Sequence, residues 1–196
     1  MKHTVKPLGK LADIRTGFTF RGAIKEQPGS GVRLLQIADL RDDVLCEDEL
    51  PEIQWPGGKP PPALNNDDIV MVARGINNRA AIYKGEHQVV PSNQLFVITI
   101  TANELLTPDY LCWYLNFEGI QRQLVKARTA TNIPSLKKGE LQALEINVPP
   151  LSVQKEILAI NALGQRELQT LQQLQQNTET MLSGLFKQLL TGKIIT

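Results

Sequence analysis

The fold is decided at Asn147-Val148-Pro149-Pro150-Leu151-Ser152, where the composition of the chain changes abruptly. All 12 prolines lie at or before Pro150, among short apolar runs and glycine-containing turns. Residues 151–196 contain no proline and follow a helical pattern. We therefore predict a domain at 1–150, followed by a long helix at 151–196.

Four short runs rich in Val, Ile and Leu precede this boundary and are separated by turn-rich stretches, which is typical of strands. They cover 32–37, 68–73, 80–83 and 95–100. A helix is predicted at 108–125, because Thr107 can cap it and Pro108 suits its first turn. The fold class is therefore α+β, with a mixed, mainly antiparallel sheet and a long C-terminal coiled-coil helix.

The C-terminal pattern predicts a helix that is capped by Ser152 and runs to about Leu190. At about 1.5 Å per residue it is close to 60 Å long, more than a small domain needs for its own core. The length favours a coiled-coil arm that dimerises, and a helix folded back on the domain is the alternative. The predicted dimer seam contains Ile157, Ile160, Leu171, Leu174, Met181 and Leu185.

The charge balance limits the kinds of partner. Lys and Arg total 21 and Asp and Glu 20, so the formal net charge is +1 and any basic surface must be local. The two cysteines are distant in sequence and the chain has two histidines, which suggests neither a disulfide framework nor a metal site. We see no signal peptide and no apolar run of about 20 residues, and we expect a soluble cytoplasmic protein without membrane contact.

Arg74-Gly75-Ile76-Asn77-Asn78-Arg79 lies between two predicted strands and is our first candidate for base contacts. Arginine can bond guanine in a bidentate manner and asparagine can bond adenine in the same way. The alternative is a solvated turn, where asparagine is favoured for its backbone tolerance. On the residues alone, the turn is the preferred interpretation.

A basic island follows the predicted helix at 108–125. Between 121 and 140 there are several Lys and Arg residues, against Glu140 as the only acid. Such residues with neighbouring Thr suit phosphate binding. Complementation of a helix dipole explains the first of them but not the later pair. The candidates here are Lys126, Arg128, Thr129, Thr131, Asn132, Lys137 and Lys138, with Arg122 preceding them.

Two further segments supply candidates for DNA binding. Arg15-Thr16-Gly17-Phe18-Thr19-Phe20-Arg21 can line a groove with Arg15, Thr19 and Arg21, whereas its two phenylalanines are expected in the core. Ser92-Asn93-Gln94 is a polar turn before a strand.

We find no pattern of catalytic residues. There is no glycine-rich nucleotide loop, and no Asp or Glu is followed two residues later by Lys, as in a common nuclease pattern. The stretch 147–151 differs from the Asn-Pro-Pro-Tyr type of methyltransferase loop by an extra Val and a missing aromatic. We therefore expect no catalytic residue, no cofactor and no metal in this chain.

Several stretches, in this order and spacing, resemble the specificity subunits of type I restriction-modification systems. Residues 133–141, 146–151 and 154–157 are similar to the end of a target-recognition domain, where a short strand runs into a Pro-Pro-Leu-x-x-Gln helix start. Residues 8–17 resemble the opening Leu-Gly-x-Leu-x-x-Ile-x-x-Gly, and 66–75 resemble a Gly-Asp-Ile-Leu hairpin. The resemblance covers about 8–193.

The resemblance implies that the chain is a non-catalytic subunit that binds double-stranded DNA. Such subunits carry two recognition domains and two helices that pair antiparallel, so one domain and one helix resemble half a subunit that would homodimerise and read a palindromic bipartite site. Its partners would be a modification methyltransferase, which carries S-adenosylmethionine, and a restriction subunit, which uses ATP. A coiled-coil protein-interaction module without DNA specificity, an orphan subunit and pairing with a longer subunit remain alternatives.

Overall fold

The computed structural model describes residues 4–55, 59, 62–75, 77–129 and 134–192. Two compact units make up the chain, Met1–Gln154 and Lys155–Thr196. We call the first the sheet domain. The predicted boundary lies after Pro150, and the division between the units follows Gln154, near the start of the long helix.

The sheet domain contains nine strands among the described residues, with short 3-10 turns between some of them. The strands are β1 (Thr4–Pro7), β2 (Ala12–Thr16), β3 (Val32–Leu35), β4 (Val44–Leu45), β5 (Ile69–Val72), β6 (Ala80–Tyr83), β7 (Gln88–Pro91), β8 (Leu95–Ile100) and β9 (Glu145–Val148). The helices are α1 (Pro108–Asn116), α2 (Glu118–Lys126), α3 (Lys138–Ala143) and α4 (Leu151–Thr191).

Five strands form a central sheet in the order β2-β8-β5-β6-β4. Its neighbours are antiparallel except for β4 and β6, which are parallel. Every residue of β5 and β6 is buried, so these strands read as continuous apolar runs rather than alternating ones. Two smaller sheets pair β1 with β9 and β3 with β7. The predicted mixed, mainly antiparallel sheet is confirmed.

The predicted helix at 108–125 is wrong in one respect, because it is two helices. Phe117 is extended, with φ −61° and ψ 133°, and separates α1 from α2. The Asn116 side chain bonds both the N–H and the carbonyl of Ala80, at 2.9 and 2.8 Å. Gln121 Nε2 donates to the Leu115 carbonyl at 2.7 Å, which satisfies an acceptor that the break exposes. Tertiary contacts therefore override the helical pattern here.

The long helix α4 has 41 residues, in agreement with the predicted C-terminal helix. Ser152 was expected to cap it, but the helix begins at Leu151 and the Pro150 carbonyl accepts from Val153 and Gln154 N–H. Pro150 therefore takes the capping position that we assigned to Ser152. Whether the helix forms a coiled coil stays a prediction. No helix in the described ranges is long and apolar enough to cross a membrane.

Candidate DNA interface

The topology of the central sheet gathers three connections at one end. Thr16, the last residue of β2, pairs with Phe96 near the start of β8, and Val72, the last residue of β5, pairs with Leu95. β6 begins at Ala80, opposite Met71 of β5. We call this end the loop edge; it consists of segments 16–21, 73–79, 92–94 and 127–138, within the described residues.

The basic segment after α2 joins the loop edge through backbone hydrogen bonds. Gly75 N–H donates to the Pro134 carbonyl at 3.0 Å, and Leu136 N–H donates to the Ala73 carbonyl at 2.9 Å. Ala73 N–H in turn donates to the Gln94 carbonyl at 2.9 Å. Three candidate clusters that are far apart in sequence therefore lie side by side.

Two glycines permit this arrangement. Gly75 has φ 130°, a conformation that residues with a side chain rarely adopt. At Gly17 a Cβ atom would collide with the Ser92 carbonyl oxygen. Because Gly17 is bare, its N–H can donate to the Leu95 carbonyl at 2.9 Å, and Phe18 N–H can donate to the Pro91 carbonyl at 2.7 Å. The 16–21 segment thus docks against the 92–94 turn.

The loop edge exposes a set of positive charges. These side chains lie in solvent and form no hydrogen bond or ion pair within the described part of the chain. Exposed Lys and Arg of this kind can neutralise phosphates without first breaking an internal contact. The set consists of Arg21, Arg74, Lys137 and Lys138, and Lys126 at the end of α2 directly precedes the edge.

The polar candidates differ in exposure. Asn77, Gln94 and Thr19 are exposed, whereas Ser92 and Asn93 are half-buried. Asparagine and glutamine amides that face solvent at this edge can reach base edges, where they act as donor and acceptor together.

Three arginine candidates make internal contacts. Arg15 Nη2 donates to the Ala63 carbonyl at 2.8 Å and lies 4.0 Å from the buried Asp68 carboxylate. Arg79 pairs with Asp43 at 3.2 Å. Arg128 Nε donates to Asn78 at 2.7 Å. Arg79 and Arg128 help to hold the loop edge in this conformation, whereas Arg15 in β2 is bonded to the 62–63 segment.

The remaining candidates of the basic island have separate positions. Thr129 N–H donates to the Ser135 carbonyl at 3.0 Å, so its backbone is bonded to the 134–138 segment. Thr131 and Asn132 lie outside the described residues. None of these contacts tests DNA binding, which stays a prediction for every candidate.

Some residues that organise the edge are not evident in the sequence. Trp55 packs its ring 4.8 Å from that of Phe18, and Phe20 stands edge-on to Phe18 at 4.9 Å. The three rings are half-buried against a small cluster around Val32. Gln121 is another such residue, and its role depends on partners in distant segments.

A second polar cluster lies at the other end of the sheet, where β6 ends at Tyr83. The Tyr83 hydroxyl donates to Glu47 Oε2 at 2.5 Å, and His87 Nδ1 lies 2.7 Å from Glu47 Oε1. Burial acts to raise the pKa of Glu47, but the hydrogen bonds from Tyr83, His87 and the Glu86 backbone outweigh it and lower the pKa to about 2. The carboxylate is therefore held charged in an internal network.

Comparison with known proteins gives one family and several similar folds. The family described as type I restriction modification DNA specificity domain matches residues 2–177. No curated protein matches the chain. A chain from a structure of type I R-M complex assembly and conformational transition is 22% identical, with a TM-score of 0.70 over 93% of this chain and 43% of that one.

Two further structures share the fold. The HsdS subunit from Thermoanaerobacter tengcongensis is 22% identical, with a TM-score of 0.69 over 93% of this chain and 42% of that one. The type I S subunit from M. genitalium is 12% identical, with a TM-score of 0.59 over 98% of this chain and 46% of that one. This chain thus spans less than half the length of each of the three. By its family match over residues 2–177, the chain belongs to the type I restriction modification DNA specificity domain family.

Proposed function

We propose that the chain recognises a DNA sequence on behalf of a type I restriction-modification complex and that the loop edge is the surface that binds the duplex. The observation that carries this proposal is the meeting of the 73–79, 92–94 and 134–138 segments at one end of one sheet. The backbone bonds from Gly75 to Pro134 and from Ala73 to Gln94 hold them together.

The side chains at the loop edge suit two kinds of DNA contact. Exposed Lys137 and Lys138 fit phosphates, which supply affinity without sequence information. Exposed Arg74 and Asn77 fit base edges in the major groove, where arginine and asparagine discriminate guanine and adenine. A local basic surface of this kind is compatible with a net charge of only +1.

Chemistry in such a complex would belong to the partners. The thiol of Cys112 has its pKa raised to about 12 by burial, and Glu47 is committed to its internal network, so neither fits an acid, base or nucleophile at neutral pH. A methyltransferase subunit with S-adenosylmethionine would modify the DNA, and a restriction subunit with ATP would cleave it.

The helix α4 would pair this chain with a second copy. Its predicted seam residues Ile160, Leu171 and Leu174 are more than half exposed, and Ile160 reaches 70%. Burial of such an apolar stripe against another helix is the usual driving force for a coiled coil. Two copies would provide two recognition domains and favour a palindromic, bipartite target.

Selection of bound sequences from random duplex DNA tests the recognition proposal, with the full chain alone and with its methyltransferase subunit. We expect a defined sequence preference and an affinity that falls steeply between about 50 and 200 mM salt. Arg74→Ala should relax the preference at one position by roughly tenfold. Lys10→Ala removes an exposed cation just before β2, at the opposite end of that strand, and is the matched control. If the chain shows neither a sequence preference nor a salt-dependent affinity for DNA, the alternative of a protein-interaction module is favoured.

A further inference from the structure

A buried asparagine lies in the middle of the exposed 73–79 connection. Asn78 is 1% exposed, whereas its neighbour Asn77 is exposed and Arg79 is half-buried. A buried polar side chain is costly unless all its hydrogen-bonding groups have partners. The partners of Asn78 therefore show what holds this connection in place.

Both ends of the Asn78 amide are bonded within the protein. Asn78 Nδ2 donates to the Val72 carbonyl at 2.8 Å, and Asn78 Oδ1 accepts from Arg128 Nε at 2.7 Å. The Asn78 carbonyl also accepts from Gln121 Nε2 at 3.0 Å. The Asn78 side chain thus connects the end of β5 with the segment that follows α2, and the Asn78 main-chain carbonyl adds a bond to helix α2.

This network bonds the 73–79 connection to the end of β5, the strand that precedes it. Val72 is the last residue of β5 and its N–H donates to the Arg79 carbonyl, so the Asn78 side chain adds a second tie across the same loop. Arg128 and Gln121 hold the loop from the side of α2. The directions of Arg74 and Asn77 at the loop edge therefore depend on a contact that neither residue makes.

We propose that Arg128 is a positioning residue that acts through Asn78 to hold the 73–79 connection in the conformation that reads DNA. Its Nε–H is engaged with Asn78 rather than with a ligand. Burial lowers the pKa of the Arg128 guanidinium, as expected for a side chain drawn into the protein. This inference rests on the proposed function and replaces the direct DNA contact predicted for Arg128 from sequence.

Arg128→Gln separates positioning from charge. The Nε2 atom of glutamine follows Cδ, just as Nε of arginine does, so it can donate to Asn78 Oδ1 while the charge is lost. A positioning role predicts that Arg128→Gln keeps the wild-type sequence preference. Arg128→Ala should lower the ratio of preferred to mixed-sequence affinity roughly tenfold, about the worth of one base contact.

The salt dependence of binding to mixed-sequence DNA supplies the second readout. Loss of one phosphate contact reduces the slope of log affinity against log salt by about 0.9. The proposal predicts a wild-type slope for both Arg128 variants. A reduced slope, with Arg128→Gln as defective in sequence preference as Arg128→Ala, would overturn it in favour of a direct phosphate contact.

A double-mutant cycle with Asn78→Ala tests the route of the effect. If Arg128 acts through Asn78, the double variant is no worse in sequence preference than the worse single variant, because both remove one link. Fully additive losses would contradict the proposal. Thermal unfolding, followed by the fluorescence of Trp55 and Trp113, checks that each variant folds. If Asn78→Ala does not fold, the comparison of Arg128→Gln with Arg128→Ala decides alone.

The same experiment distinguishes this inference from the function on which it rests. A wild-type chain that selects no sequence, alone or with the methyltransferase subunit, overturns both. A wild-type chain with a clear preference that Arg128→Gln loses overturns the positioning role only, and Lys10→Ala should match the wild type throughout.

Discussion

The charged side chains at the two ends of the central sheet differ in whether they are bonded within the protein. At the end where β6 finishes, Glu47 is bonded to Tyr83 and His87, and Lys84 pairs with Asp67 at 2.5 Å and Asp109 at 3.4 Å. At the loop edge, basic side chains such as Arg74 and Lys137 face solvent without a partner among the described residues. We call the first end the closed edge.

The contrast separates charges that stabilise the fold from charges that remain available. Charged groups that are bonded to each other contribute modestly to the free energy of folding, and their bonding groups are already occupied. Exposed cations without a partner contribute almost nothing to that free energy. Such exposed cations can bind a polyanion without the protein having to break an internal contact. Variants at the two edges should therefore change different properties.

The largest effect should come from disrupting the proposed pairing of two α4 helices, which would bring two loop edges to one duplex. Leu171→Asp with Leu174→Asp puts charge into the predicted seam, so we expect monomers in light scattering. Affinity for a duplex with two half-sites should fall roughly 100-fold or more, because the second contact is no longer intramolecular.

Two comparisons control the seam experiment. Affinity for a single half-site should stay unchanged, since the loop edge is intact. Gln173→Asp adds one charge on the same helix outside the predicted seam and should leave the dimer in place. A monomeric wild-type chain that binds both duplexes equally would remove the homodimer proposal.

The next largest effect should come from the loop edge itself. Arg74→Ala with Lys137→Ala and Lys138→Ala should lower DNA affinity roughly 100-fold at low salt and reduce the salt slope by about 2 to 3, with little change in thermal stability. Titration by fluorescence anisotropy measures both quantities. Lys84→Ala at the closed edge is the matched control: it should lower the melting temperature slightly and leave DNA binding intact. The reverse pattern would contradict the assignment of the two edges.

A smaller effect, on stability alone, is expected at the closed edge. Glu47→Gln removes the charge that accepts from Tyr83 and His87, and should lower the free energy of unfolding by about 1 to 3 kcal/mol. Denaturant titration measures this change. Glu49→Gln, in the same 3-10 turn but exposed, should change stability by less than about 0.5 kcal/mol. Equal effects of the two substitutions would show that the network contributes nothing specific.

The smallest effect is a pH dependence of that stability difference. The pKa of Glu47 is lowered from 4.5 to about 2 in the folded state, so in this range the unfolded chain binds the proton more readily. The contribution is fully present above about pH 4.5 and is lost as pH falls through about 2. The stability gap between wild type and Glu47→Gln should therefore narrow on acidification over this range. A gap that stays constant would argue against a lowered pKa.

The sequence was most informative where local pattern and fold agree. β5, β6 and β8 were predicted because short apolar runs are bounded by turn residues. β4 has only two residues and β7 ends in proline, so neither carries a strand pattern. The break at Phe117 was not predictable, since it depends on Asn116 bonding Ala80, 36 residues away in sequence.

At the candidate site, too, local segments were predictable from the sequence but long-range contacts were not. The sequence identified the 74–79, 92–94 and 126–138 segments, but it did not show which side chains face outward. Asn77 and Asn78 look equivalent in sequence, yet the second is buried and bonded to Arg128, 50 residues further along. Such contacts arise only when the strand order is known, because the sheet brings distant connections together.

The backbone bonds at the loop edge bear on how easily such a surface could change its preference over evolution. The contacts from Ala73 to Gln94, from Gly75 to Pro134 and from Leu136 to Ala73 involve only main-chain atoms. Substitution of the outward side chains would leave this framework standing, provided that Gly75 and the buried Asn78 are kept. A lineage could therefore acquire a new target by a few exchanges at the surface, without having to build a new scaffold each time.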